Sequence, residues 1–249
     1  MLTFGVPAGR SAVAGHPSGR TVDASKRAHP SKRIIFFGDS ICHGQHVSVE
    51  RIFVARLAAY YNSHVVPPIL VENRSINGNT TRQGLERLSY DVTSHRPDLV
   101  YVQFGLNDCN VWQTDFGQPR VAPDAYRGNL AEIVAKLSSA GTRRVIMATN
   151  HPCVLGEEYE KRLLAYNDIV RDVARLTGAA LFDLHAVAPP FQTETMLCAD
   201  GIHLSEEGHQ YYFEALRPLF MTEVGRISGD AAVPPEAAAP AGYRSPVAP

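Results

Sequence analysis

Short apolar runs alternating with amphipathic segments predict an α/β protein of three layers, α/β/α, around a mostly parallel five-stranded sheet. Three observations carry this. The apolar runs are nearly continuous, as strands buried on both faces require. The segments between them repeat apolar residues at the helical period. Polar, glycine-containing blocks follow the runs, where an open α/β sheet gathers its functional loops.

Ile34-Ile35-Phe36-Phe37 reads as the first strand, ended by Gly38-Asp39-Ser40. Residues 52–60 carry a helical period, and Ile69-Leu70-Val71 is a second short strand. A loop through Asn77-Gly78 leads to a helix after Thr80, and Pro97-Asp98 marks the entrance to a third strand over residues 99–104. A helix over residues 124–139 puts Tyr126, Leu130, Ile133 and Leu137 on one side. Val145-Ile146-Met147-Ala148 is the fourth strand. Leu163, Tyr166, Val170 and Val173 recur at helical spacing before Ala180-Leu181-Phe182, the fifth. The last helix starts after Ser205, whose hydroxyl suits an N-cap, with Glu206 and Glu207 in its first turn.

The 249 residues divide into a leader over 1–30, one main domain over 31–228 and an Ala/Pro-rich tail over 229–249. Charges nearly cancel, 24 Lys plus Arg against 25 Asp plus Glu, so no strong field draws nucleic acid or acidic membranes. A small neutral substrate suits that balance, and a monomer is favoured. No stretch has the length of apolar residues a bilayer span needs, and no apolar secretory core opens the chain, so the default expectation is a cytoplasmic location; secretion stays open if the sequence has been processed. Cys42, Cys109, Cys153 and Cys198 have neither zinc-ribbon spacing nor the density of a disulfide scaffold and read as free thiols, although Cys153 and Cys198 could lie close together.

Four polar blocks carry the chemistry: Gly38-Asp39-Ser40, Asn77-Gly78-Asn79-Thr80, Gly105-Leu106-Asn107-Asp108 and Asp200-Gly201-Ile202-His203. They offer a hydroxyl nucleophile, donors for a developing oxyanion, and a paired acid and base. In this order, within an alternating α/β chain, they resemble the SGNH hydrolase family, also called GDSL-type esterases and lipases, over roughly residues 32–220. The resemblance implies a flavodoxin-like sheet of the SGNH hydrolase fold. It implies Ser40 as nucleophile, His203 as the base and Asp200 as the residue orienting the imidazole. It also implies an oxyanion hole of the Ser40 and Gly78 backbone N–H groups and the Asn107 amide, with no cofactor and no metal. One departure is Ser75, where a smaller glycine is frequent in the second block.

Taken alone, each residue has a plainer reading as a cap, a turn or a loop fastener. Asp39 and Asp108, beside glycine turns, read as organisers of backbone N–H groups rather than as the acid. His43, His46 and His151 could join Asp39 or Asp200 around a metal, but their spacing is irregular. Arg74, Trp112 and His151 are the candidate substrate contacts, Trp112 with Phe116 as an aromatic wall and Arg74 and Arg82 either on substrate or paired with Glu72 and Glu86. Hydrolysis of a short-chain ester or an O-acetylated carbohydrate through an acyl-enzyme is the main expectation. A thioesterase or lysophospholipase, or a non-catalytic acyl- or carbohydrate-binding module, is the alternative.

Overall fold

The structure, a computed structural model, describes residues 31–65, 67–187 and 191–228, so the expected leader and tail lie outside the described residues. Five strands run in parallel: β1 (Arg33–Gly38), β2 (Leu70–Asn73), β3 (Leu99–Gln103), β4 (Arg144–Ala148) and β5 (Ala180–Phe182), in the order β2-β1-β3-β4-β5. The register sets Phe36 level with Asn73 on one side and Tyr101 on the other. The chain therefore leaves β1, β2 and β3 at one edge of the sheet, which brings three of the four polar blocks together.

Ile34, Ile35, Phe36 and Phe37 are all fully buried, so both faces of β1 are covered. Because successive side chains point to opposite faces, the contacts of the two phenylalanines define the layers. Phe36 packs on Phe53 and Phe220, from the helices α2 (Phe53–His64) and α7 (Glu206–Ser228). Phe37 meets Phe104 edge-on and lies under the guanidinium of Arg87, from α3 (Thr81–Asp91). On that second side α3 neighbours α4 (Pro123–Ser139), which neighbours α5 (Glu157–Thr177). Truncating either ring to Ala costs about 3–5 kcal/mol by the usual scale for core aromatics.

The helices bury the periodic residues expected of them: Tyr126, Leu130, Ile133 and Leu137 from α4, and Leu163, Tyr166, Val170 and Val173 from α5. Proline at the first turn of α4 starts that helix one residue earlier than the period alone suggests. Ser205 caps α7, its Oγ accepting from Gly208 N at 3.1 Å. Two four-residue helices escape a periodicity reading because they are too short to repeat: α1 (Ser40–His43) and α6 (Thr193–Met196). Among the described residues no helix is long and apolar enough to cross a membrane.

Candidate active site

Ser40 opens α1 directly beyond β1 and is nearly buried, at 6% exposure. Asp39 caps this turn, its Oδ1 accepting from Ile41 N at 3.0 Å, so the residue before the serine is committed to backbone. Burial pushes the Asp39 carboxyl up to about 7, against the pull of that backbone bond and with a further push from the Asp108 charge.

The expected base and its carboxylate come from one tight turn. Asp200 Oδ1 accepts from the N–H groups of Ile202 and His203, each at 3.0 Å, and its Oδ2 lies 2.6 Å from His203 Nδ1. A carboxylate only accepts, so His203 Nδ1 carries the proton and Nε2 presents its lone pair to Ser40 Oγ, 2.8 Å away. Partial burial pushes the Asp200 carboxyl up, but the His203 ring and the two backbone donors outweigh it and hold it down at about 2. Cys198 N donates to His203 O at 2.7 Å and Gly201 N to Cys198 O at 3.0 Å, closing the turn on itself.

The residues expected to hold an oxyanion are assembled from distant parts. Gly78 sits at φ +73°, in a loop tied back to β1 by Ile76 N donating to Gly38 O at 3.1 Å. Asn107 is held from both ends: Nδ2 points to Asp39 Oδ2 at 3.4 Å, and Oδ1 accepts from Arg120 Nη1 at 3.3 Å. Reversing that amide would set oxygen against carboxylate and NH₂ against guanidinium, so its orientation is fixed twice over. One hydrogen on Nδ2 remains for a ligand. The same Arg120 Nη1 donates to Gly78 O at 3.2 Å, joining the second and third blocks. Asp108 lies beneath, its Oδ1 accepting from Thr81 N at 2.9 Å and from the Thr81 hydroxyl at 2.5 Å, which fastens α3 to the loop after β3. Burial pushes Asp108 up to about 6 against those two bonds. Arg87 locks the second block from α3, donating to Asn79 Oδ1, Arg74 O and Gly38 O at 2.7, 2.6 and 3.2 Å.

The expected substrate contacts separate. Trp112 is half exposed beneath the Arg120 guanidinium, 4.2 Å from its ring centre, and lines an open cavity of about 260 Å³ with Thr80, Arg82, Gln83, Asp115 and Arg120. Phe116 is 94% exposed and builds no wall with it. Arg74 takes the alternative of pairing with Glu72, with Nη2 and Oε2 2.5 Å apart. His151 is not a rim residue. It is fully buried, with Nε2 2.7 Å from Ile202 O and Nδ1 2.5 Å from the Tyr212 hydroxyl. Burial holds it down at about 4, against the pull of the Ile202 carbonyl, so a neutral imidazole props the Asp200–His203 turn from below. Of the three histidines weighed as metal ligands, His43 turns to Ser75 O, and His46 alone reaches an aspartate, Asp200, at 3.4 Å. The four cysteines are free thiols, with Cys198 bonded to Leu204 O rather than to Cys153.

Arg120 is the functional candidate the sequence reading missed. It ends an excursion from Asn110, whose carbonyl accepts from Arg120 N at 2.9 Å, and nothing in a loop's composition says which carbonyls its last cation meets. A lone arginine just before a helix that follows the third block was the available signal.

The GDSL-like Lipase/Acylhydrolase family matches residues 36–211. An arylesterase of Vibrio mimicus is 25% identical over 190 residues, covering 76% of this chain and 88% of that protein. An acetylxylan esterase of Geobacillus stearothermophilus is 27% identical over 215 residues, covering 78% of this chain and 94% of that one. The solved structure of a lipase/acylhydrolase from Enterococcus faecalis superposes with a TM-score of 0.65 at 25% identity, covering 76% of this chain and 95% of that one.

Proposed function

This chain belongs to the GDSL-like Lipase/Acylhydrolase family and is a carboxylic ester hydrolase, and from that premise we propose that Ser40, His203 and Asp200 carry its reaction. The observation that supports this most is the continuous relay from Asp200 Oδ2 through the His203 ring to Ser40 Oγ, with steps of 2.6 and 2.8 Å. Ser40 Oγ attacks the acyl carbon while its proton passes to His203 Nε2. Asp200, ionised down to about pH 2, stabilises the imidazolium that forms. The carbonyl oxygen, now negative, accepts from Ser40 N–H, Gly78 N–H and Asn107 Nδ2. As the tetrahedral species collapses, the ester C–O bond breaks and His203 returns the proton to the leaving alcohol. Water then repeats the sequence on the Ser40 acyl ester, giving the free acid and the resting serine.

Arg120 acts in this scheme as a positioning residue. Its donation to Asn107 Oδ1 polarises the amide, which makes the opposite N–H a better donor, and it holds Gly78 by its carbonyl, on the peptide that follows the donor N–H.

We further propose a short-chain ester or an O-acetylated carbohydrate as substrate. Support comes from the 260 Å³ cavity that shares Arg120 with Gly78 and Asn107, whose lining of Thr80, Arg82, Gln83, Asp115 and Arg120 with one Trp face suits a sugar ring better than a long alkyl chain. The relative acting on acetylxylan, by its name, points the same way. The test is a panel of acetyl, butyryl and long-chain esters with acetylated xylo-oligosaccharides, read by turnover and by intact mass for an acyl adduct on Ser40. Acetyl esters should turn over fastest, and Trp112→Ala should raise KM on the oligosaccharide several-fold while sparing a small aryl acetate. Efficient turnover of long chains alone would reject the substrate, and full activity in Ser40→Ala would reject the mechanism.

A further inference from the structure

His46 stands against the acid and base without a part in the reaction described above. It holds a left-handed backbone, φ +74°, that presents its ring to the turn bearing Asp200. Its Nε2 lies 3.4 Å from Asp200 Oδ2, and its ring meets that of His203 edge-on with centres 5.2 Å apart. Ligand atoms from His46, Asp200 and His203 all lie within 4.8 Å of one another. Around a tetrahedral zinc ion with bonds of about 2.0–2.1 Å, ligand atoms stand about 3.3 Å apart. The His46–Asp200 edge already has that length. Two imidazoles and one carboxylate make a donor set suited to zinc-like divalent ions, and they leave a fourth position open.

We propose that His46, Asp200 and His203 form a site for a divalent transition metal whose occupation switches the hydrolase off. The inference rests on the reading of His203 as the base. Metal on His203 Nδ1 and Asp200 Oδ2 replaces the proton they share, which leaves to water, and Nε2 takes up one proton from water, so the ring stays neutral in its other tautomer. His203 then donates to Ser40 Oγ instead of accepting from it, and Asp200 spends its charge on the metal. Access needs no unfolding, since the side chains of His46 and Asp200 are 51% and 36% exposed. Binding is therefore fast and reversible by a chelator.

Zinc ion alone, added to the full chain in chelator-free buffer, tests this by calorimetry and by turnover of a small acetate ester. The variants are His46→Asn and His46→Gly, both of which accept a left-handed backbone, and Ser40→Ala. One equivalent should bind wild type and Ser40→Ala alike. Wild-type turnover should fall at least about tenfold at saturation and return with EDTA. Both His46 variants should hydrolyse at the wild-type rate and need at least about tenfold more zinc for the same effect, as the loss of one of three ligands implies. Binding to Ser40→Ala is read without turnover, so it stands even if the catalytic reading fails. No binding to wild type, or equal inhibition of wild type and both His46 variants, all of which keep the partly exposed Cys198, would overturn the site.

Discussion

The two halves of the candidate site are built on opposite plans. The base side is local: Asp200 and His203 are three residues apart, and the bonds that aim them lie mostly within the same turn. The oxyanion side is long-range, with Arg120 reaching 42 residues back to Gly78 and Asp108 reaching 27 residues back to Thr81. A short turn fixes direction cheaply because little chain entropy separates its ends. The proposed oxyanion donors must instead be held to within fractions of an ångström by loops from separate strands, so they depend on polar bonds between those loops. The lesson is that damage to the first half should be all-or-none, and damage to the second graded.

The sharpest test of that contrast is at its centre. Ser40→Ala and His203→Ala should each lower kcat by roughly 10⁴-fold or more, Ser40→Ala with an unchanged thermal midpoint. On the oxyanion side, Asn107→Ala should lower kcat by roughly 10²–10³-fold, about 3 kcal/mol, while leaving KM near wild type. Arg120→Ala should cost about tenfold in kcat, with partial recovery in Arg120→Lys, because it acts through Asn107 and Gly78 rather than on substrate. A wild-type kcat for Arg120→Ala would break the claim that this half is held from afar.

The halves should also respond to pH with opposite sign. Asp39 and Asp108 sit at about 7 and about 6 in the fold, above the ordinary carboxyl value, so their ionisation opposes folding. Stability from this half is fully present below about pH 4 and is lost as pH rises through 6 and 7. Asp200, at about 2, contributes stability that is present above about pH 4 and is lost as pH falls through 2. Urea midpoints across pH should therefore decline toward neutrality less in Asp39→Asn and Asp108→Asn than in wild type, and decline toward acid less in Asp200→Asn. Parallel curves for wild type and the first two variants would remove the electrostatic part of the contrast.

The smallest expected effect separates two glycines with nearly the same backbone. A Cβ on Gly78, at φ +73°, meets nothing within 4 Å, so Gly78→Ala should cost only about 1 kcal/mol of backbone strain. A Cβ on Gly201, at φ +70°, meets the Val154 carbonyl oxygen at 3.1 Å, so the tight turn must shift. Gly201→Ala should be the less stable of the two by thermal melting, and the one that loses more kcat.

These plans also explain what could be read in advance. The strands announced themselves through apolar runs, weakest in β2, where Leu70-Val71 gives way to Glu72 and Asn73, and the Asp200–His203 pair was marked by its block. Ser40 lies in a four-residue helix with no period to detect, and only the block pattern marked it. Asn107 was legible as a residue but not as an oriented amide, since its orientation is set by Asp39 and Arg120. His151 misled because a histidine after a strand's C-terminal end usually faces the cleft. Here the ring is buried behind the turn, and the carbonyl of Ile202 and the hydroxyl of Tyr212 satisfy both its nitrogens.

Arg87 ties the loop that carries Gly78 to β1 and to its own helix, with its guanidinium laid over Phe37. Opening that loop therefore strips one cation of several acceptors at once and uncovers an aromatic face. In hydrogen–deuterium exchange the amides of residues 76–79 should follow α3 rather than behave as a surface loop, all of them opening in a single cooperative event. The proposed Gly78 donor, mounted this way, fluctuates no more than the helix behind it.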